Sequence, residues 1–184
     1  MIYSFSLFAV GLFVGLILVF SHGVAMALPG PTKAFLLSFP RSAFFGIAFT
    51  VFAAVWGFWL VNAADLGEFS KMRPLLLIGI PVGGFLAWKF VDEFLAVRAL
   101  GTLAMLAAEP LLSAAYMQEP LTRLFLVALA YVWILAGLFL VGMPYVLRDL
   151  LSWITSKDKV FSAAALCGAA YGMLLITCSL LYWR

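Results

Sequence analysis

The sequence predicts an all-α, polytopic transmembrane helix bundle of about six spans, five being the alternative, with a short interfacial helix near residues 145–156. Three observations carry this. Of 184 residues, 66% are hydrophobic and 10% charged, whereas soluble domains sit near one quarter charged and at most half apolar. Mean hydropathy is +1.16, so the residues needed to cover a core with polar surface are missing, and lipid must cover it instead. Most of the charges and prolines fall between or at the ends of apolar runs of the length that a bilayer core about 30 Å thick requires, roughly 20 helical residues each. The whole of 1–184 reads as one integral membrane domain, with spans near 2–28, 42–64, 74–90, 93–117, 123–143 and 160–183.

The first run, 2–28, holds no charged side chain. A secretory signal has a basic start and a shorter apolar stretch. Ala25-Met26-Ala27 resembles a cleavage site, but a retained span is the expectation. Pro29-Gly30-Pro31 then breaks the helix, and Lys33 and Arg41 bracket a short apolar stretch, 34–37, suited to the interface. The second run ends in Asp65, Gly67, Glu68, Lys71 and Arg73. Pro74 suits the first turn of the third, which is short and carries Gly79, Pro81, Gly83 and Gly84, a setting for a kink or a close helix contact. Lys89, Asp92 and Glu93 separate it from the fourth run, and Arg98, Glu109 and Pro110 interrupt that run. The fifth is the clearest, with no charge from Leu124 to Met143. In the segment after it, Val146, Leu147, Leu150, Leu151 and Ile154 share one helical face and Arg148, Asp149 and Ser152 lie off it, the pattern of a helix in the interface plane. Lys157-Asp158-Lys159 precedes the last run. Trp88, Trp153 and Trp183 sit near span ends as headgroup-level anchors; Trp56 and Trp133 sit deeper, as packing residues.

With six spans, Lys71, Arg73, Arg123 and Arg184 fall on one side. Lys33, Arg41, Lys89, Arg148, Lys157 and Lys159 fall on the other, with Arg98 if it faces that end. The bias makes the second side cytoplasmic and leaves both termini outside, in a cytoplasmic (inner) membrane. The halves before and after Asp92 each hold three spans, the count an inverted repeat needs, but no residue-level similarity links them.

Lys89, Asp92, Glu93, Arg98 and Glu109 form the one candidate buried polar network. Arg98 and Glu109, eleven residues apart, share a helix face about 16 Å apart along the axis. A charge at mid-bilayer costs at least about 2.5–3.5 kcal/mol and calls for a partner or water. Such a network suits an ion, a proton or an anionic headgroup; the plainer reading leaves these charges near the two membrane surfaces, where long side chains snorkel. Gly11 and Gly15, Gly79 and Gly83, and Gly168 and Gly172 place small residues one turn apart on three helices, where backbones can approach closely. Packing within the bundle is the expectation, with contact to another protein the sharper alternative. His22, the single histidine, reads as an interfacial or hydrogen-bonded residue, and Asn62 likewise. Cys167 and Cys178, also eleven residues apart, are about 16 Å apart on a helix and read as small packing residues, too distant for a disulfide.

No catalytic set is expected, and no cofactor. One His, scattered carboxylates and two distant Cys do not assemble a common zinc site. There is no phosphate loop and no nucleophile elbow. Basic residues are scattered rather than clustered, which argues against nucleic acid. Three roles follow. The first is an accessory or structural subunit packing with other membrane proteins, or with itself, in the lipid bilayer. The second is a transporter or channel for a small solute, ion or proton using Arg98 and Glu109. The third is a membrane enzyme acting on a lipid or quinone at one membrane face.

Overall fold

The computed structural model describes residues 2–90 and 94–183. Ser6 opens the first helix: its hydroxyl accepts from the Ala9 N–H at 3.2 Å, satisfying one donor that a helix start leaves free. Helix α1 (Leu7–Ala27) thus begins later than the apolar run at 2–28 suggests, and residues 2–6 carry no regular structure. Pro29 ends α1 yet starts α2 (Pro29–Ser38), because a proline at the first helical position has no N–H to lose. The stretch 34–37 is therefore part of a ten-residue helix. Ser42 caps α3 (Ala43–Ala63) by accepting from the Phe45 N–H at 3.4 Å. A 3-10 segment, Gly67–Met72, leads into α4 (Arg73–Phe90).

Helix α5 (Leu95–Ala115) runs through Glu109 and Pro110 without a break; membrane helices tolerate an internal proline where neighbours and side chains satisfy the freed groups. Helices α6 (Arg123–Gly142), α7 (Tyr145–Ser156) and α8 (Asp158–Tyr182) complete the chain. The last starts at Asp158 rather than 160, since a carboxylate is favoured at a helix N-terminus. There are no strands among the described residues. Six helical stretches are long and apolar enough to span a membrane: α1, α3, α4 with its preceding turn, α5, α6 and α8. The chain is an all-α bundle of the membrane-embedded kind.

The core lies where α1, α5, α6 and α8 meet, and includes Leu7, Val14, Ala108, Leu111, Leu126, Ala130 and Leu175. The closest pairings are α1 with α8 and α5 with α6. On the outside of this four-helix unit, α3 runs parallel to α5, with Gly46 beside Leu95 and Ala96. Helix α4 runs back antiparallel along α3, and contributes no buried residue. Tyr3, Ser113, Thr122 and Trp183 meet at one membrane face: the Ser113 hydroxyl donates to the Tyr3 carbonyl at 3.3 Å, and Trp183 Nε1 donates to Thr122 Oγ1 at 2.8 Å. At the opposite face, α2 and α7 pack together under the junction of α1 with α8, around Ala25, Phe161 and Ala165. There Lys33 pairs with Asp158 and lies 5.0 Å from the centre of the Phe161 ring. An inverted repeat would match the α5–α6 pair to α1 and α3, but α1 and α3 do not pack along their lengths.

Candidate functional site

The network drawn from the sequence does not assemble as one cluster. Arg98 lies in the first turn of α5 and Glu109 near the other end, about 16 Å further along the axis. Lys89 is exposed, its Nζ 5.6 Å from the centre of its neighbour Phe90's ring. Asp92 and Glu93 lie outside the described residues. The two partly buried charges of α5 therefore belong to two separate environments.

At the Arg98 end, Nη1 donates to the Val141 carbonyl at 2.8 Å. That carbonyl belongs to the last turn of α6, where four acceptors have no partner within the helix. Arg98 thus closes the α6 C-terminus from a neighbouring helix, and its positive charge suits the negative end of the dipole. Two other arginines do the same: Arg73 donates to Asn62 O at 3.2 Å and Ala64 O at 2.6 Å, at the end of α3. Arg123 donates to Ala115 O at 3.0 Å, at the end of α5. What sets Arg98 apart is the space beside it. A groove of about 500 Å³ runs between α3, α4 and α5, with Arg98 at one end and Thr50, Ala54, Gly79, Gly83 and Thr102 along it. Arg98 Nε is buried and has no acceptor among the described residues.

At the Glu109 end, Oε2 is buried and also lacks a partner among the described residues. Nearby, Trp56 Nε1 donates to the Tyr3 hydroxyl at 2.5 Å. Burial pushes the Tyr3 phenol above its ordinary pKa; the Trp56 hydrogen bond opposes this and the Glu109 carboxylate adds to it. A second cavity, of about 720 Å³ and almost wholly apolar, opens between α1, α3, α5 and α6, lined by Tyr3, Val14, Trp56, Leu111 and Trp133. Glu109 does not line it.

The glycines divide. A Cβ on Gly15 would come within 2.9 Å of Gly172 O, and one on Gly172 within 2.8 Å of Gly15 O. Gly11 leaves room for the Trp183 ring and Gly168 for the His22 ring. These four make the α1–α8 contact. Gly79 and Gly83 do not serve as a contact: nothing lies within 4 Å of where their Cβ atoms would be, and they line the Arg98 groove instead. His22 Nδ1 donates to Leu18 O at 2.8 Å. Trp88 and Trp153 are exposed near helix ends, whereas Trp183 is 6% exposed. Trp183, expected as a headgroup-level anchor, lies just past the end of α8, and its ring turns inward onto Gly11. Cys167 is exposed and Cys178 buried, both free thiols.

Three features escaped the sequence reading. The arginine caps are legible only once it is known which helix ends neighbour which. The Tyr3–Trp56 bond joins residues far apart in the chain. The α5–α6 crossing rests on Gly101 and Gly137, whose Cβ atoms would meet each other's carbonyls at 2.8 and 2.6 Å. That last feature left a signal: Gly101, Ala108 and Ala115 recur every seventh residue, as do Ala130 and Gly137, the spacing of a supercoiled helix seam.

Comparison with protein-family models, with curated proteins and with solved structures finds no match.

Proposed function

We propose that this chain is a small accessory subunit that packs with other membrane proteins through its α3–α4 flank. One observation carries the reading: α4 contributes no buried residue and, among the described residues, packs mainly along α3 and the turn that leads into it. Within lipid there is no hydrophobic drive between helices, so a spanning helix is held by close packing and hydrogen bonds. Helix α4 has little of either, and its outer face, with Leu75, Ile78, Val82 and Phe85, is apolar and open. A helix of a neighbouring protein laid on that face would supply the missing contacts. The separation of Arg98 from Glu109 favours this role over a transport path using both.

The experiment is site-directed photocrosslinking in the native membrane. A photoreactive residue at Ile78 or Val82 is expected to give a discrete protein adduct, and one at Phe20 or Leu181, on the outer faces of α1 and α8, only lipid adducts. An adduct of twice the chain's mass identifies the neighbour as a second copy. Lipid adducts alone at all four positions would refute the role.

A further inference from the structure

We infer that the groove between α3, α4 and α5 is a binding site for an anionic phospholipid, with the phosphate at Arg98 and one acyl chain along the glycine-lined channel. The inference does not depend on the α3–α4 flank docking a protein, since the groove faces α5 and the flank faces outward.

The dimensions fit a lipid of one leaflet. Arg98 lies three residues inside the start of α5, about 4.5 Å along the axis, the depth of headgroup and glycerol. From Arg98 the groove reaches Leu106, about 12 Å further along the axis, most of the half-thickness of a hydrocarbon core about 30 Å thick, which is about 15 Å. Gly79 and Gly83, beside Ile80 and Ala87 on the α4 wall, have nothing within 4 Å of where a Cβ would stand, which gives a chain room to lie against the backbone there. A volume of about 500 Å³ falls within the roughly 300–1,000 Å³ of small-molecule sites.

The charge fits as well. A guanidinium offers five N–H donors in a planar fork suited to phosphate, and Arg98 makes one protein hydrogen bond, to Val141 O, with Nε left buried and unpaired among the described residues. Leu95 lines both this groove and a smaller polar cavity of about 140 Å³ that holds Arg41, Ser42 and Trp88. Arg41 makes no ion pair among the described residues. A phosphate at Leu95 would therefore lie between two cations, at a membrane face already carrying an aromatic anchor. A zwitterionic headgroup would bring its own positive charge into the same place.

The test is lipid binding by native mass spectrometry of the purified chain in a non-ionic detergent, titrated with phosphatidylglycerol or phosphatidylcholine of the same acyl chains. Phosphatidylglycerol is expected to bind more tightly. Arg98→Gln is expected to weaken it about tenfold and to weaken phosphatidylcholine less, so that the difference between the two lipids narrows. Because Arg98 also closes α6, a second variant keeps the Arg98 side chain: Gly83→Leu fills the channel and is expected to weaken both lipids. Arg148→Gln, on exposed α7, should change neither, and inorganic phosphate should not compete. Equal affinity of the two lipids for the unaltered chain would overturn the inference. So would phosphatidylglycerol binding that is unaffected by either groove variant, or that inorganic phosphate displaces.

Discussion

Replacing Gly172 by alanine should weaken the bundle, while the same change at Gly83 should not, although both glycines lie inside spanning helices. Each replacement gains roughly 1 kcal/mol of intrinsic helix propensity. At Gly172 the new Cβ falls 2.8 Å from Gly15 O and 2.9 Å from the Leu18 Cβ. Ordinary contact begins at 3.4 Å, so α1 and α8 must part by about half an ångström, and neither atom is the end of a flexible chain. Overpacking of this kind costs about 1–3 kcal/mol. The net effect at Gly172 is a loss of up to about 2 kcal/mol, against a gain of up to about 1 kcal/mol at Gly83, where nothing lies within 4 Å. Unfolding by sodium dodecyl sulfate in mixed micelles, followed by tryptophan fluorescence, measures both. Gly15→Ala should match Gly172→Ala, and the double variant should cost less than the sum, because helices already parted accommodate the second methyl group. If Gly172→Ala and Gly83→Ala shift the midpoint alike, the close α1–α8 crossing is wrong.

Two further outcomes are expected. Trp183→Phe keeps a ring over Gly11 but removes the 2.8 Å hydrogen bond to Thr122, and should cost about 0.5–1.5 kcal/mol in the same titration; in a Thr122→Ala background the change should cost distinctly less. With both natural cysteines replaced by alanine, Ser4→Cys and Glu119→Cys should react with an impermeant thiol reagent from one side of sealed vesicles and Lys157→Cys from the other; Ser4 and Glu119 on opposite sides would exclude the six-span path.

The spans were readable because the bilayer enforces them: each needs a run of apolar residues, and the interruptions must sit near water or be satisfied within protein. The α7 helix was equally plain, since a helix at an interface must segregate its faces. The ambiguity at Glu109 and Pro110 arose from composition alone, which does not show that α5 is flanked by α3 on one side and α6 on the other. What composition also lacks is which helix neighbours which. A Gly-x-x-x-Gly pair marks a face able to accept a backbone, as at Gly15 and Gly172, but the same spelling at Gly79 and Gly83 borders a groove. Arg98 carried the same limit: its cost in the membrane was evident, whereas its acceptor, a carbonyl on α6, depends on a tertiary contact.

The pairing of the first span with the last has a consequence for biogenesis. During synthesis α1 enters the bilayer long before α8 exists, so its Gly11–Gly15 face waits among lipids, without the helix that closes it, until the chain has been made beyond residue 158. Late, long-range closure of this sort leaves intermediates exposed to wrong pairing. A chain that stops before residue 158 would keep the α5–α6 pair but leave the Gly11–Gly15 face of α1 without its partner.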